Sequence, residues 1–568
     1  MDSTALPNPS PPAASTQVDH RARLEILVAI LLGLFLAALD QTIVQTALPR
    51  IVSDLRGVEL LTWVVTVYLL TSTITGPFYG KLSDLYGRKP LLIIGITLFL
   101  LGSVLSGLSR EMWQLIAARG IQGLGAGSLF PIALAVIGDL FTPQERGRYQ
   151  GLFGAVFGVS AILGPWLGGV LTDTLGWHWI FFVNVPIGLV SLFVIFRLMP
   201  NVRRPDASRN LDYLGAAIFT VAISLLLIGL TNKQTADWAT PQVGGLIAAA
   251  LALGVLFLVA ESRAKEPIVP LELFRNRTYA ASMVAVFLGA IGFFGAFIFL
   301  PQWFQFVHGT SATESGWATL PFLAGLITSS IVAGVLISRT GRYKWLMVGS
   351  FALTAAGLLL MTNLRADTPF PVLWTWMFLA GAGVGPTLSG FTIIVQNAVP
   401  MEKLGVATSN LTFFRQIGGS VGLAVVGTVF GTTFQARLTT ELQPIGERIA
   451  AGVPPQFREL VAEQFGRAPQ GSLSDLTNVT VDLGAQILAG VPAVFRGFVE
   501  PFVADIVGGI HQAYSLAVAE TFWVGLVATV AATAFAVAIR DVPFRATAPG
   551  YAAAAAGRAR PEAAGATD

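Results

Sequence analysis

The 568-residue sequence contains no cysteine, which excludes disulfide frameworks, thiolate zinc sites and cysteine nucleophiles. Charge is also scarce, since only 12% of residues are Asp, Glu, Lys or Arg, against roughly 25% in a soluble domain. The formal net charge is +3, so no strongly basic surface for nucleic acid is indicated. By contrast, 54% of residues are hydrophobic, and the mean hydropathy is +0.69. This composition excludes an ordinary soluble enzyme.

Fourteen segments of the chain are apolar enough to cross a lipid bilayer as helices. One crossing needs about 20 residues, because every backbone polar group has to be paired inside its own segment where water is absent. The predicted fold class is therefore an all-α polytopic membrane protein with 14 transmembrane helices. The segments cover residues 24–48, 61–80, 91–108, 113–137, 148–172, 179–199, 213–231, 242–261, 279–301, 316–338, 345–362, 372–397, 406–434 and 513–540.

Lys and Arg are distributed unevenly over the connections between these segments. Most lie on the side of the N-terminus, in 81–89, 203–209, 263–277, 339–344 and 540–560, and few lie on the opposite side. Because positive residues mark the cytoplasmic side of a membrane protein, both termini are predicted to be cytoplasmic. The expected location is the plasma membrane, as a multi-pass protein, and in a bacterium this is the inner membrane.

The connections and an internal repeat divide the chain into parts. Residues 1–23 and 541–568 are rich in Pro, Ala, Ser and Gly and are predicted to be disordered cytoplasmic tails. The run GKLSDLYGRK at 80–89 recurs in weaker form as GVLISRTGRY at 334–343, which indicates two related halves. The predicted parts are an N-terminal six-helix half at 24–199, a two-helix insert at 213–261, and a C-terminal six-helix half at 279–540.

The longest connection, 435–512, is predicted to be an extracellular loop of short amphipathic helices broken by Pro and Gly. It holds more acidic than basic residues. One interpretation is a lid that packs on itself, and the other is a platform for a substrate or a partner.

Four ionisable residues lie well inside predicted spans, where a charge costs at least ~2.5 to 3.5 kcal/mol and is usually paired or functional. Asp40 and Arg119 lie at similar depths, about 9 to 12 Å inside the outer surface at 1.5 Å per residue, so an ion pair between them is allowed. A buried carboxylate beside a guanidinium can load and release a proton when its cavity alternates between wet and dry, which makes Asp40 the candidate protonation site. The other two are Arg415 and Glu520.

Five runs follow one another along the chain in an order typical of one transporter family. They are LDQTIVQTALP at 39–49, GKLSDLYGRK at 80–89, RGIQGLGAG at 119–127, GVSAILGPWLGG at 158–169 and WHWIFFVNVPIG at 177–188. Over residues 24–540 the sequence resembles the major facilitator superfamily (MFS), and within it the fourteen-span drug:proton antiporters. The fourth run is similar to the motif that separates antiporters from symporters and uniporters.

This resemblance implies a proton-coupled antiporter that exports hydrophobic compounds, cations among them, by alternating access between its two halves. It implies a small-molecule substrate and protons as partners, a lipid bilayer, a monomeric transport unit, and no nucleic acid, metal or cofactor besides the proton gradient. In the family, the acid of span 1 and the Arg of span 4 act in coupling, which carries over to Asp40 and Arg119. Glu520 is a further candidate for proton coupling or for attracting a cation, and it could also simply face water.

Two motifs are predicted to act in gating rather than in substrate binding. In the 80–89 loop, the glycines permit tight turns, the aspartate accepts hydrogen bonds at a helix N-terminus, and the basic residues pair with acids on the inner face. In span 5, the glycines permit a close approach to the opposite half and the proline bends the helix, with ordinary packing as the alternative. The residues are Gly80, Asp84, Gly87, Arg88, Lys89, Gly158, Gly164, Pro165, Gly168 and Gly169.

Candidates for lining a substrate cavity are Trp63, Tyr68, Phe294 and Arg415, although aromatic residues also face lipid or core, and Arg415 could tie its helix to backbone carbonyls. An alternative cargo for the same fold is a lipid, an endogenous antibiotic or a siderophore. A membrane enzyme is disfavoured because HExxH and P-loop motifs are absent and the four His lie outside the spans. A sensor that does not transport would leave the two gating motifs without a purpose.

Overall fold

The computed structural model describes residues 20–55, 60–200, 212–233, 236–264, 266–452, 483–491 and 496–541. Within these ranges the chain is helical with short connections and contains no strand, which confirms the all-α fold class. The predictions for most of the two tails, and for residues 453–482 and 492–495 of the long loop, lie outside the described residues.

The helices follow one another in three groups along the chain, and the division into two halves and an insert stays a prediction. The N-terminal group is α1 His20–Leu55, α2 Leu61–Tyr86, α3 Arg88–Gly107, α4 Met112–Leu140, α5 Pro143–Thr174, α6 Trp179–Phe182 and α7 Asn184–Leu198. The insert is α8 Tyr213–Asn232 and α9 Leu246–Arg263, with a π-helical turn Pro241–Gly245 before α9. The C-terminal group is α10 Arg277–His308, α11 Ala312–Ala318, α12 Leu320–Thr340, α13 Lys344–Met361, α14 Phe370–Ala398, α15 Leu404–Gly452, α16 Leu483–Gly490, α17 Arg496–Val499 and α18 Val503–Ala538.

Among the described residues, 12 helices are long and apolar enough to cross a membrane. The second and ninth predicted spans coincide with α2 and α10, which do not fall among those 12. The count of fourteen spans therefore stays a prediction, while the multi-pass character of the chain does not depend on it.

The long connection differs from the sequence prediction. Instead of breaking into short helices after residue 434, α15 continues as one helix through Pro444 to Gly452, and α18 already begins at Val503. The extensions of the two helices bury apolar side chains against each other, and this burial outweighs the hydrogen bond that the proline removes. These side chains are Leu438, Leu442, Ile445 and Ile449 on α15, and Ile506 and Ile510 on α18.

The predicted duplication has a counterpart in the backbone. Gly87 joins α2 to α3 with a φ of +96°, and Gly341 follows α12, before α13, with a φ of +66°. Both occupy the region that favours glycine, and they are one of the two glycine pairs that align in the repeated run at 80–89 and 334–343. Their ψ angles differ, at 156° and 2°, so the two joints share a positive φ but not one backbone conformation.

Several chain segments meet at one end of the bundle, which we call the terminal face. Asp541, after α18, accepts hydrogen bonds from the backbone N–H groups of Tyr343 and Lys344 at 3.1 and 3.0 Å. The backbone N–H of Arg540 donates to Thr278 Oγ1, near the start of α10, at 3.4 Å. The charge distribution predicts that this face is cytoplasmic.

Candidate functional site: a buried ion pair and two inter-half contacts

Asp40 on α1 and Arg119 on α4 form an ion pair inside the N-terminal half. Arg119 Nη1 lies 2.6 Å from Asp40 Oδ2, and the two side chains are 1% and 0% exposed, respectively. The structure therefore brings together the two residues that the sequence placed at similar depth. Their role in proton coupling stays a prediction.

Two neutral side chains complete the hydrogen bonding of Asp40. Gln122 Nε2 donates to Asp40 Oδ1 at 2.8 Å, and Asn184 Nδ2 donates to the same oxygen at 3.4 Å. Arg119 Nη1 also donates to Gln122 Oε1 at 2.7 Å. Sequence reasoning missed both residues, although Gln122 follows Arg119 by three residues and so shares its helix face, and Asn184 interrupts an apolar run.

Tyr68 on α2 covers the guanidinium of Arg119. The ring centroid lies 4.2 Å from Arg119 Cζ, a distance suited to a cation–π contact, and the tyrosine is 1% exposed. In this conformation Tyr68 lies against the ion pair and presents almost no surface to a substrate, unlike the cavity position predicted for it.

The chemistry of this cluster depends on access by water. Moving two charges out of water costs free energy that can exceed the attraction between them. A contribution to stability alone is therefore a weak explanation for a buried ion pair. Protonation of Asp40 would remove its charge attraction for Arg119 and would require the donors around it to find other acceptors. Protonation would therefore change how α1 packs against α4.

Asp84 at the end of α2 forms a contact between the halves, which we call the latch. Its oxygens accept hydrogen bonds from the backbone N–H groups of Gly405 and Val406, at the start of α15, at 3.1 and 2.9 Å. Arg88 Nη2 lies 2.6 Å from Asp84, and Arg88 Nε lies 3.0 Å from Asp139. Asp84 therefore accepts hydrogen bonds at a helix N-terminus, as the sequence predicts. Arg88 pairs with two acids, which is also the predicted contact.

Arg88 also helps to keep the latch carboxylate charged. Asp84 lies beyond the predicted span 61–80, and burial raises the pKa of its carboxyl while Arg88 acts in the opposite direction. Loss of Arg88 would therefore favour the neutral acid, which is a weaker acceptor for the amides of α15 than the carboxylate.

The remaining latch residues differ in part from their predicted roles. Gly87 makes the expected turn, but Gly80 is helical, and its role is a close approach of helices, since a Cβ there would lie 2.8 Å from the carbonyl oxygen of Gly405. Lys89 does not pair with an acid: its Nζ donates to the carbonyl oxygen of Phe196, in the same half, at 2.7 Å. A lysine that reaches a free helix C-terminus finds carbonyl acceptors there without needing an acid.

We expect Asp84→Asn and Arg88→Gln to open the latch. Hydrogen bonds to a charged group contribute about 1.5 to 3 kcal/mol, so the ratio of open to latched molecules should rise by about tenfold or more. Because the chain has no cysteine, spin labels can be attached at Tyr86→Cys and Arg339→Cys, and the distances between them measured by pulsed electron paramagnetic resonance. Lys89→Gln is the matched control and should leave the distances unchanged. Unchanged distances in Asp84→Asn would remove the latch from the mechanism.

A second contact between the halves is formed by one face of α5 against α12, which we call the seam. Glycines spaced by four, three and four residues line this face, and a Cβ at any of them would come into tight contact with α12. A Cβ at Gly151 would lie 3.1 Å from the Cα of Ile331. A Cβ at Gly154 would lie 2.6 Å from Oγ of Ser330. The seam glycines of α5 are Gly147, Gly151, Gly154 and Gly158.

Three of the span 5 residues predicted to face the opposite half do not do so. Gly164 and Gly168 pack against Thr42 and Ile43 of α1, in their own half, and a Cβ at Gly169 would meet nothing within 4 Å. Gly164 and Gly168 are turned toward α1, whereas Gly169 shares the side of the 147–158 glycines but lies about three turns beyond Gly158, where nothing packs against it. A linear motif does not reveal this difference. Pro165 lies inside α5, which continues through it.

A buried pair of glutamines also links the halves, near the seam, and it was not predicted. Gln150 Nε2 on α5 donates to Gln396 Oε1 on α14 at 2.9 Å, and Gln396 Nε2 donates to the carbonyl oxygen of Leu134 on α4 at 2.9 Å. Both side chains are almost fully buried. Buried amides of this kind are satisfied only while the helices stay together.

The other predicted site residues lie apart from the Asp40 cluster. Glu520 Oε1 lies 3.4 Å from Arg437 Nη2, and both side chains are about two-fifths exposed, so this pair is a weak surface contact. Trp63 is half-buried on α2. Arg415 donates from Nη2 to the carbonyl oxygen of Leu388 at 3.5 Å. The side chain of Phe294 lies outside the described residues.

Comparison with known proteins decides the family. The family model described as Major Facilitator Superfamily matches residues 30–423. The chain belongs to the Major Facilitator Superfamily. This MFS chain is 36% identical over 491 residues to the multidrug transporter protein MdtP of Bacillus subtilis (strain 168), which covers 86% of the chain and 89% of that relative. It is 33% identical to the tetracenomycin C resistance and export protein of Streptomyces glaucescens, covering 79% and 83%, respectively.

Solved structures support the same fold. The human organic anion transporter MFSD10 superposes with a TM-score of 0.54 at 17% identity, covering 72% of this MFS chain and 94% of that one. A proton:xylose symporter superposes with a TM-score of 0.53 at 15% identity, covering 78% and 94%. The chain is thus a multi-pass transporter of the plasma membrane and not an enzyme.

Proposed function

We propose that this protein is a proton-coupled antiporter that exports hydrophobic compounds by alternating access, as a monomer and without a cofactor. The observation that carries the proposal is the fully buried Asp40–Arg119 pair with its neutral partners Gln122 and Asn184. The names of the relatives, which include a multidrug transporter, support a drug-like cargo. The energy source is the inward movement of protons.

The proposed cycle uses the latch and the seam as the closure of the terminal face. While both are closed, the cargo path on that face is shut, and the route by which a proton arrives at Asp40 lies on the opposite side. Protonation of Asp40 then weakens its hold on Arg119 and allows α1 and α4 to repack, which favours opening of the terminal face. Release of the proton on that face restores the pair and allows the latch to reform.

An endogenous antibiotic is a second candidate cargo, and one observation favours it. A relative of 33% identity is named as a tetracenomycin C resistance and export protein. Deleting residues 453–482, which follow α15, would test whether the long loop serves a large cargo. Export of a large amphiphile should then fail, whereas efflux of a small dye should persist.

The energy source can be tested directly in everted membrane vesicles. Collapse of the proton gradient with a protonophore, at constant ATP, should reduce dye transport to the level of vesicles without the protein. Restoring an imposed pH gradient in purified proteoliposomes should bring transport back without ATP. Transport that persists without any gradient would contradict proton coupling, and transport that requires ATP would indicate a different energy source.

A further inference from the structure

The charges deep in the predicted spans do not cancel. Asp40 neutralises Arg119 at 2.6 Å, and Glu520 lies beside Arg437 at 3.4 Å. Arg415 is different, because no carboxylate in the part of the chain that the structure describes forms an ion pair with it. Among the described residues, the guanidinium of Arg415 therefore has no carboxylate counterion.

The guanidinium of Arg415 lies at depth and has few acceptors. The residue lies about 16 Å along α15 from its start at Leu404, at 1.5 Å per residue, and its side chain is half-buried. Its hydrogen bond to the carbonyl oxygen of Leu388, on α14, is 3.5 Å long. A guanidinium carries five N–H donors in a planar fork, and toward the described residues this one long bond leaves most of its donor capacity unused.

The surroundings of Arg415 place it next to the boundary between the halves. The following residue, Gln416, donates from Nε2 to Ser72 Oγ on α2, in the opposite half, at 3.2 Å. On α14, Gln396 lies eight residues beyond Leu388 and accepts a hydrogen bond across the boundary from Gln150. Arg415 thus lies on one helix and bonds to a second, and both helices contact the N-terminal half, along which a cargo has to pass in alternating access.

We propose that Arg415 recognises the cargo, and that the preferred cargo is a hydrophobic compound carrying an acidic group, such as a carboxylate or a sulfonate. A guanidinium binds such groups through paired hydrogen bonds, and burial strengthens the interaction. An anion also removes the uncompensated positive charge, whereas a cation adds a second one. The proposal rests on the proposed export function and replaces the expectation that cations are among the cargo.

Three probes with one aromatic skeleton test the charge preference. They are 1-naphthylacetate, 1-naphthylacetamide and 2-(1-naphthyl)ethylammonium, and their affinities for the purified full-length protein can be measured by isothermal titration calorimetry. Because one charge-assisted interaction separates them, the acid should bind at least about tenfold more tightly than the amide, and the ammonium compound should bind most weakly. Equal affinities, tighter binding of the ammonium compound, or no measurable binding of the acid would overturn the proposal.

Variants assign the preference to Arg415. Arg415→Gln should bring the affinity ratio of acid to amide close to one without changing the affinity for the amide, and Arg415→Lys should keep part of the ratio. Arg437→Gln, on the same helix but beside Glu520, should keep all of it. A uniform loss of affinity for all three probes in Arg415→Gln would indicate a structural role instead. If that variant fails to fold, Arg415→Lys still tests the assignment, because an unchanged ratio in that variant would contradict it.

The same preparation separates this proposal from the proposed function. The affinities are measured without a gradient, whereas proton coupling is measured as gradient-dependent transport in proteoliposomes. A preference for the acid together with gradient-independent transport would contradict antiport and leave the role of Arg415 in place. Gradient-driven transport without any charge preference would contradict the role of Arg415 and leave the proposed antiport in place.

Discussion

Asp40→Asn is expected to abolish proton-driven export and to leave binding and exchange of the cargo intact. Asparagine keeps the shape of the side chain but cannot bind or release a proton, so no coupling step remains. The protein should then still exchange labelled for unlabelled cargo across a proteoliposome membrane, while uphill transport driven by a pH gradient should fall to background. Full gradient-driven transport in Asp40→Asn would remove this residue from the mechanism.

This variant also leaves Arg119 buried and charged without a counterion. Removing one partner of a buried ion pair costs roughly 3 to 5 kcal/mol of stability, so the single variant should melt at a lower temperature. The double variant Asp40→Asn with Arg119→Gln removes both charges and should recover much of that stability. Uphill transport should stay absent in the double variant even when its stability is recovered. If the double variant did transport uphill, the loss of transport in Asp40→Asn would come from a damaged structure rather than from lost proton coupling.

Glu520→Gln provides the matched control for a carboxylate outside the cluster. Its carboxylate is partly exposed beside Arg437, and pairs of this kind contribute about 0 to 1 kcal/mol. Uphill transport should therefore fall much less than in Asp40→Asn. A loss as complete as that of Asp40→Asn would instead place Glu520 in the coupling step, as the sequence suggested.

Helix depth was sufficient to predict which charged residues could meet, but not what surrounds them. Asp40 and Arg119 are conspicuous because charges are rare inside apolar segments, and their depths follow from counting residues. Gln122 and Asn184 carry no charge, and only the packing of three helices shows that they share one carboxylate. Likewise, the motif at 158–169 identifies a glycine-rich helix, but the side of α5 that each glycine faces depends on its neighbours.

The packing of α5 also suggests how the motif glycines and the ion pair are connected. Gly164 and Gly168 bring α5 against Thr42 and Ile43, which follow Asp40 on α1, and Thr42 Oγ1 donates to the carbonyl oxygen of Ser160 at 3.0 Å. Meanwhile the 147–158 glycines of the same helix form the seam with α12. The same helix thus contacts the segment that carries the proposed protonation site near one end and the opposite half near the other.

Gly334→Ala is expected to abolish transport by preventing closure of the seam. A Cβ at this position would overlap the carbonyl oxygen of Gly147, a backbone atom that no side-chain rotation can move away. The two helices would have to separate near the terminal face, which favours the state open on that side. The helix itself should not weaken, because alanine stabilises a helix interior by roughly 0.5 to 1 kcal/mol relative to glycine.

Two measurements distinguish a blocked closure from general misfolding. The spin-label pair at positions 86 and 339 should report a longer distance in Gly334→Ala, while the melting temperature stays close to that of the unmodified protein. Gly169→Ala is the control, since it makes the same chemical change in α5 where nothing lies within 4 Å, and it should transport normally. Normal transport by Gly334→Ala would show that the seam opens and closes without close contact, and that the latch and the buried glutamines suffice to hold the terminal face shut.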